Sequence, residues 1–103
     1  TAEAVAMHTT AAITPRFDFG SLIFSVEVDA LTRQGQLDPM RYLQRHLRGD
    51  WGNVCAEEWR RNDAAVATGS LLLSSYRVNA ELTLCIFTDE GRRLTTVFLP
   101  GEY

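Results

Sequence analysis

At Ser70 the spacing of apolar residues changes, and with it the kind of structure the chain can form. Before that point apolar positions recur three and four residues apart, as on one side of an α-helix. After it come runs of Leu, Val, Ile, Phe and Thr at about residues 71–78, 82–89 and 93–99, read as strands. They are separated only by Asn79-Ala80 and by Asp89-Glu90-Gly91. Joints this short force neighbouring strands antiparallel, so the second half reads as a three-stranded meander closed by Pro100-Gly101. Helices first and strands afterwards predict an α+β domain, its helical N-terminal half packed on one face of a C-terminal antiparallel sheet.

The first half divides at its capping residues. One extra short strand is expected within residues 17–25 (FDFGSLIFS), just after Pro15. Ser25 can cap a helix over about residues 26–34, with Val28 and Leu31 on one side and Gly35 to end it. Asp38-Pro39 opens a second helix: Asp38 offers an acceptor to free amides, and the N–H that Pro39 lacks would have no partner there anyway. Met40, Leu43 and Leu47 form its apolar stripe, and Arg41, Arg45 and Arg48 the opposite one. His46 reads as exposed on the arginine side, and Gly49 stops the helix. Gly49-Asp50-Trp51-Gly52-Asn53 makes a tight corner before a third helix at about residues 53–67, with Cys55, Trp59 and Val66 on its buried side.

Composition narrows the function classes. The chain has 103 residues, 46% hydrophobic and 22% charged, enough apolar material for one core and too little length for two. Residues 1–15 read as a flexible arm, with Met7 a candidate start, and residues 16–103 as the domain. No apolar run approaches the roughly 18 residues of a membrane span, and no signal peptide is visible. A net charge of −3 argues against nucleic acid as partner, although all ten basic residues are arginine. Cys55 and Cys85 lack paired spacing, and His8 and His46 are too far apart for a helix-borne metal pair. These signs lead us to expect a cytoplasmic protein with free thiols and neither metal nor cofactor.

The run GDWGNVCAEEWRRND (residues 49–63), then SLLLSSYRV, then LTTVFLPGEY resembles a family of small bacterial "plasmid-related" proteins of mobile genetic elements. Some members are labelled type I restriction endonuclease subunit M. The likeness runs from about Phe19 to Tyr103, and its specific parts are Gly49-Asp50-Trp51-Gly52, Asn62-Asp63, Ser75-Tyr76, Thr95-Thr96, and Leu99-Pro100 with Glu102-Tyr103. It implies a mobile-element origin and a shared fold, and brings no established activity. A methyltransferase subunit would need a cofactor-binding domain several times this size, and no glycine-rich cofactor loop follows a strand here.

Asp50, Trp51, Glu57, Glu58, Asn62 and Asp63 bracket the third helix and are the most suggestive cluster. As chemistry, the carboxylates could serve as acid and base or hold a divalent ion. As structure, they cap helix ends and Trp51 fills the core, and that reading is preferred. Cys55 with His46 is a weaker nucleophile–base candidate. Arg41, Arg45 and Arg48 form a solvated face or a docking patch, and Tyr103 with Glu102 and Phe98 a terminal docking segment. Two functions follow: a non-enzymatic protein-binding accessory protein that blocks a host restriction or CRISPR complex, or a small metal-dependent module built on the carboxylates between Asp50 and Asp63. The unpaired edge strands of a meander further suggest a homodimer.

Overall fold

A computed structural model of the chain describes residues 14–102. Most of the expected N-terminal arm, and Tyr103, lie outside the described residues. The elements in order are β1 (Ser21–Phe24), α1 (Val26–Arg33), α2 (Pro39–Leu47), α3 (Ala56–Thr68), β2 (Leu72–Asn79), β3 (Leu82–Thr88) and β4 (Leu94–Phe98). The α+β class is the expected one. Its sheet has four strands in the order β1-β4-β3-β2. β2, β3 and β4 form the antiparallel meander, with Leu73 opposite Phe87 and Phe87 opposite Thr96.

The extra N-terminal strand is present and changes the topology. β1 lies parallel to β4, from Ser21 opposite Leu94 to Phe24 opposite Val97, so the sheet is mixed and β4 is an interior strand. A parallel pair needs a long crossover, which the helices and the β2–β3 hairpin supply. The chain end folds back onto the same corner. The Glu102 carboxylate accepts hydrogen bonds from Ser25 Oγ (2.7 Å) and the Leu99 N–H (2.7 Å), next to the start of α1. Glu102 is thus a brace, where a free tail was expected. Burial works against its charge, but the Ser25, Leu99 and Glu27 hydrogen bonds outweigh it and hold the carboxyl below its ordinary range.

Alternation along the strands decides which face meets the helices. Leu72, Ser74 and Tyr76 of β2, Leu84, Ile86 and Thr88 of β3, and Thr95 and Val97 of β4 are all buried on that face. Val28 of α1 and Leu43 and Leu47 of α2 pack onto the central part of it. Trp51, Ala65 of α3 and Leu72 form a second cluster at the β2 side.

The expected stripe of α2 is rotated. Met40 is 44% exposed, while Pro39, Leu43, His46 and Leu47 form the buried side at i, i+4, i+7 and i+8. His46 is fully buried, contrary to its expected place on the arginine face. Asp38 precedes α2 but makes no side-chain cap; its carbonyl takes the Arg41 N–H. α3 begins at Ala56, with Cys55 in the cap position, because Asn53 is committed to the sheet. Cys55 is therefore exposed rather than buried, and the buried residues of α3 are Asn62 and Ala65.

Candidate functional site

The suggestive cluster begins at the corner between α2 and α3. Gly52 has φ +78, and a Cβ there would overlap the Ser75 carbonyl oxygen and the Tyr76 ring. The absent side chain lets the corner lie directly along β2. Ser75 N–H donates to the Trp51 carbonyl at 3.2 Å, and Asn53 N–H donates to the Ser75 carbonyl at 2.6 Å. One step along, Arg77 N–H donates to Asn53 Oδ1 at 2.8 Å. One step the other way, Asn62 of α3 uses its whole amide: Nδ2 donates to the Leu73 carbonyl (2.9 Å) and Oδ1 accepts the Leu73 N–H (3.3 Å).

Together these bonds seal the outer edge of β2 from Leu73 to Arg77. An edge strand with free N–H and C=O groups invites another chain to pair with it, and side-chain amides and a bridging loop remove the invitation. The β2 edge is therefore closed to the strand-edge association expected from the sequence. β4 is closed as well, since β1 pairs with it.

Each remaining member of the cluster has a local partner. Asp50 receives Arg45 through Nε at 2.8 Å and a second contact at 3.3 Å, and it also accepts the Gly52 N–H. Hydrogen bonding from Arg45 is the main reason its carboxyl lies below the usual range, while Asp50 in turn raises Arg45. The Arg45 guanidinium also lies over the Tyr76 ring, 4.8 Å from its centre. Trp51 is fully buried and its Nε1 donates to Asp63 at 2.9 Å. The Cys55 thiol and N–H hold Glu58 below its ordinary value. Glu57 faces Arg61 one helical turn away. Among the described residues, no three His, Cys, Asp or Glu side chains come together to hold a metal ion.

The nucleophile–base candidate does not assemble: Cys55 is exposed at the head of α3 and His46 lies in the core. His46 instead belongs to a polar seam the sequence reading missed. Its Nδ1 is bonded to Ser74 Oγ, its Nε2 lies 3.0 Å from Thr88 Oγ1, Thr88 meets Thr95 at 2.8 Å, and Thr95 Oγ1 donates to the Phe19 carbonyl at 2.7 Å. Counting hydrogens from that carbonyl backward fixes every direction. Thr95 spends its hydrogen on Phe19, so Thr88 donates to Thr95 and His46 Nε2–H donates to Thr88. Nδ1 then accepts from Ser74. Burial, aided by the charge of Arg92, pushes the His46 pKa down to about 3, so the ring is neutral, as this pattern requires.

A serine donating to a histidine is the opening geometry of nucleophilic catalysis. Here both residues are fully buried, and the far nitrogen faces a threonine rather than a carboxylate. The pair fastens α2 to the sheet.

Arg41 is exposed on α2 and Arg48 just past its end, with Arg45 between them tied to Asp50. No described helix is long and apolar enough to cross a membrane. The sheet face turned away from the helices carries a row of apolar and small residues. Ile23, Thr96, Phe87 and Leu73 lie side by side across the four strands there, with Ile23 46% and Leu73 40% exposed. Arg77, the only charged side chain in the described strands, is exposed on this same face. Searches of protein-family models, curated proteins and solved structures find no match to this chain.

Proposed function

We propose that the chain is a non-enzymatic protein-binding accessory protein that works through its open sheet face. The observation that carries this reading is the composition of that face. A sheet with one wet side normally alternates apolar and polar residues, yet β3 reads LTLCIFT and β4 reads LTTVF, as strands covered on both sides do. Exposed apolar patches of this kind mark interaction sites. The acidic and amide residues that suggested chemistry are used in holding the corner and the β2 edge, so the metal-dependent reading has less to stand on.

The resemblance to plasmid-related proteins supplies the setting: a cytoplasmic protein of a mobile genetic element, acting on a host restriction or CRISPR complex. A tagged pull-down from bacterial lysate, with a nuclease-treated control, tests it. One host complex at near-stoichiometric yield, lost when Thr96 is replaced by Arg, is the expected result. An eluate emptied by nuclease would move the function to nucleic acid and the exposed Arg41 and Arg48. Capture unaffected by the substitution would remove the sheet face from the reading.

A further inference from the structure

We infer that the cavity between residues 15–20 and Arg92 binds a small phosphate monoester, clamped by the guanidinium groups of Arg16 and Arg92. The inference goes beyond the docking reading of the sheet face and does not depend on it. The cavity measures about 750 Å³, within the range of small-molecule sites. Its wall, residues 15–20, is pinned at both ends. Arg16 N–H donates to the Leu47 carbonyl at 2.8 Å. Gly20, at φ +65, lies so close to the Arg93 backbone that a Cβ would overlap it.

Arg92 is the first argument. Among the described residues it alone combines a side chain with a positive φ, +55. Glycine would sit there without strain, and strained backbone gathers at ligand sites. Capping does not explain the arginine. It donates to the Ala65 carbonyl at 2.6 Å, but that carbonyl already receives the Gly69 N–H at 2.9 Å. A second bond reaches the Asp89 carbonyl at 3.1 Å, and the guanidinium lies over the Phe17 ring, 5.6 Å from its centre. These contacts hold the guanidinium in one place. Three of its five N–H groups then have no partner among the described residues.

The remaining charges set the class of ligand. Arg16 is exposed beside Gly49, and its guanidinium forms no ion pair or hydrogen bond among the described residues. Two forked cations with open donors match a phosphate, which accepts paired bonds from each. Asp18, the one acidic residue of the lining, would repel a bare anion. It suits a monoester whose body carries hydroxyl groups, because a carboxylate accepts from them. The body also fills the space beside Phe19 and Pro15 that a phosphate alone would leave empty. A phosphorylated sugar or polyol meets each requirement.

Titration of the full chain with glucose 6-phosphate up to about 20 mM, followed by two-dimensional amide NMR, tests this. The amide signals of Gly20 and Arg92 should move and saturate, while that of Ile86 in the core stays in place. Glucose and sulfate each lack half of the match and should bind at least about tenfold more weakly. Arg92→Gly suits the positive φ and keeps the fold, and Arg16→Gln changes an exposed side chain. Each should weaken binding about tenfold or more. Arg41→Gln, on α2 and outside the lining, should leave it unchanged.

The absence of any saturable shift overturns the inference. Saturation that is unchanged in both Arg16→Gln and Arg92→Gly overturns it as well, since the phosphate would then sit elsewhere. Equal affinity for sulfate also overturns it, because the cavity would then be attracting anions without selecting a monoester.

Discussion

The two faces of this sheet are made by the same four strands and use their side chains in opposite ways. Toward the helices, packing is complete. Leu72, Tyr76, Leu84, Ile86 and Val97 are fully buried, and no buried side-chain nitrogen or oxygen among the described residues lacks a partner. Away from the helices the same strands present Ile23, Phe87 and Leu73 to the surroundings. The covered face accounts for the fold. The apolar character of the other goes beyond what the wet side of a sheet normally carries, which makes it the face whose composition speaks to binding.

The sharpest contrast comes from Trp51, the largest fully buried side chain. It stacks on Phe17 at 6.2 Å, meets the His46 ring edge-on at 5.4 Å, and donates to Asp63. Trp51→Ala removes all three contacts and leaves a cavity beneath α3, a loss expected at about 4 kcal/mol. Stability is on the order of 5–15 kcal/mol for a domain, so this variant should be partly unfolded near 37 °C by circular dichroism.

His46 comes next. His46→Leu leaves Ser74 and Thr88 with buried, unmatched hydroxyl functions, and about 3 kcal/mol should be lost in urea unfolding. Titration gives a gentler probe of the same seam. The folded pKa is about 3 against an ordinary 6.5, so the unfolded chain takes up the proton first. Stability is fully present above pH 6.5 and is given up as the pH falls from there toward 3. Between pH 7.5 and 5 the loss should be about 2 kcal/mol. His46→Gln can donate and accept in the same seam, and its urea midpoints should be nearly flat over that window.

At the β2 edge, Asn62→Ala exposes the Leu73 N–H and C=O together. About 2 kcal/mol should be lost, and amide exchange at Leu73 should quicken by more than that of Ile86 in the interior. Asn62→Asp retains the acceptor but sets a carboxylate oxygen against the Leu73 carbonyl, and should be no better.

The sequence showed different parts of this architecture unequally, for physical reasons. Local signals carried far: Ser25 before α1, Pro39 at the head of α2 and the short joint at Asn79 each act within a few residues, and each element is found where they place it. The structural role of the Asp50–Asp63 cluster was also legible, since Trp51 among glycines reads as a core plug. The pairing of β1 with β4 was not, because Phe24 and Val97 are far apart in the chain and no local period encodes their register. His46 was misplaced for another reason. Its spacing from Leu43 already put it on the buried side of α2, but its polarity argued otherwise, and only the arrival of Ser74 and Thr88 from distant strands makes a buried imidazole tolerable. The edge-sealing role of Asn62 has the same origin, as an amide cannot announce which strand it will cover.

The smallest effect on the isolated chain should come from the open face, and it separates the two faces most cleanly. Leu73→Thr removes aliphatic surface from a side chain already 40% exposed, at a position where a β-branched residue suits the strand. Unfolding at submicromolar concentration should therefore shift by less than about 0.5 kcal/mol. A loss of more than about 1 kcal/mol would instead place Leu73 in the chain's own core energetics and erase the distinction between the faces.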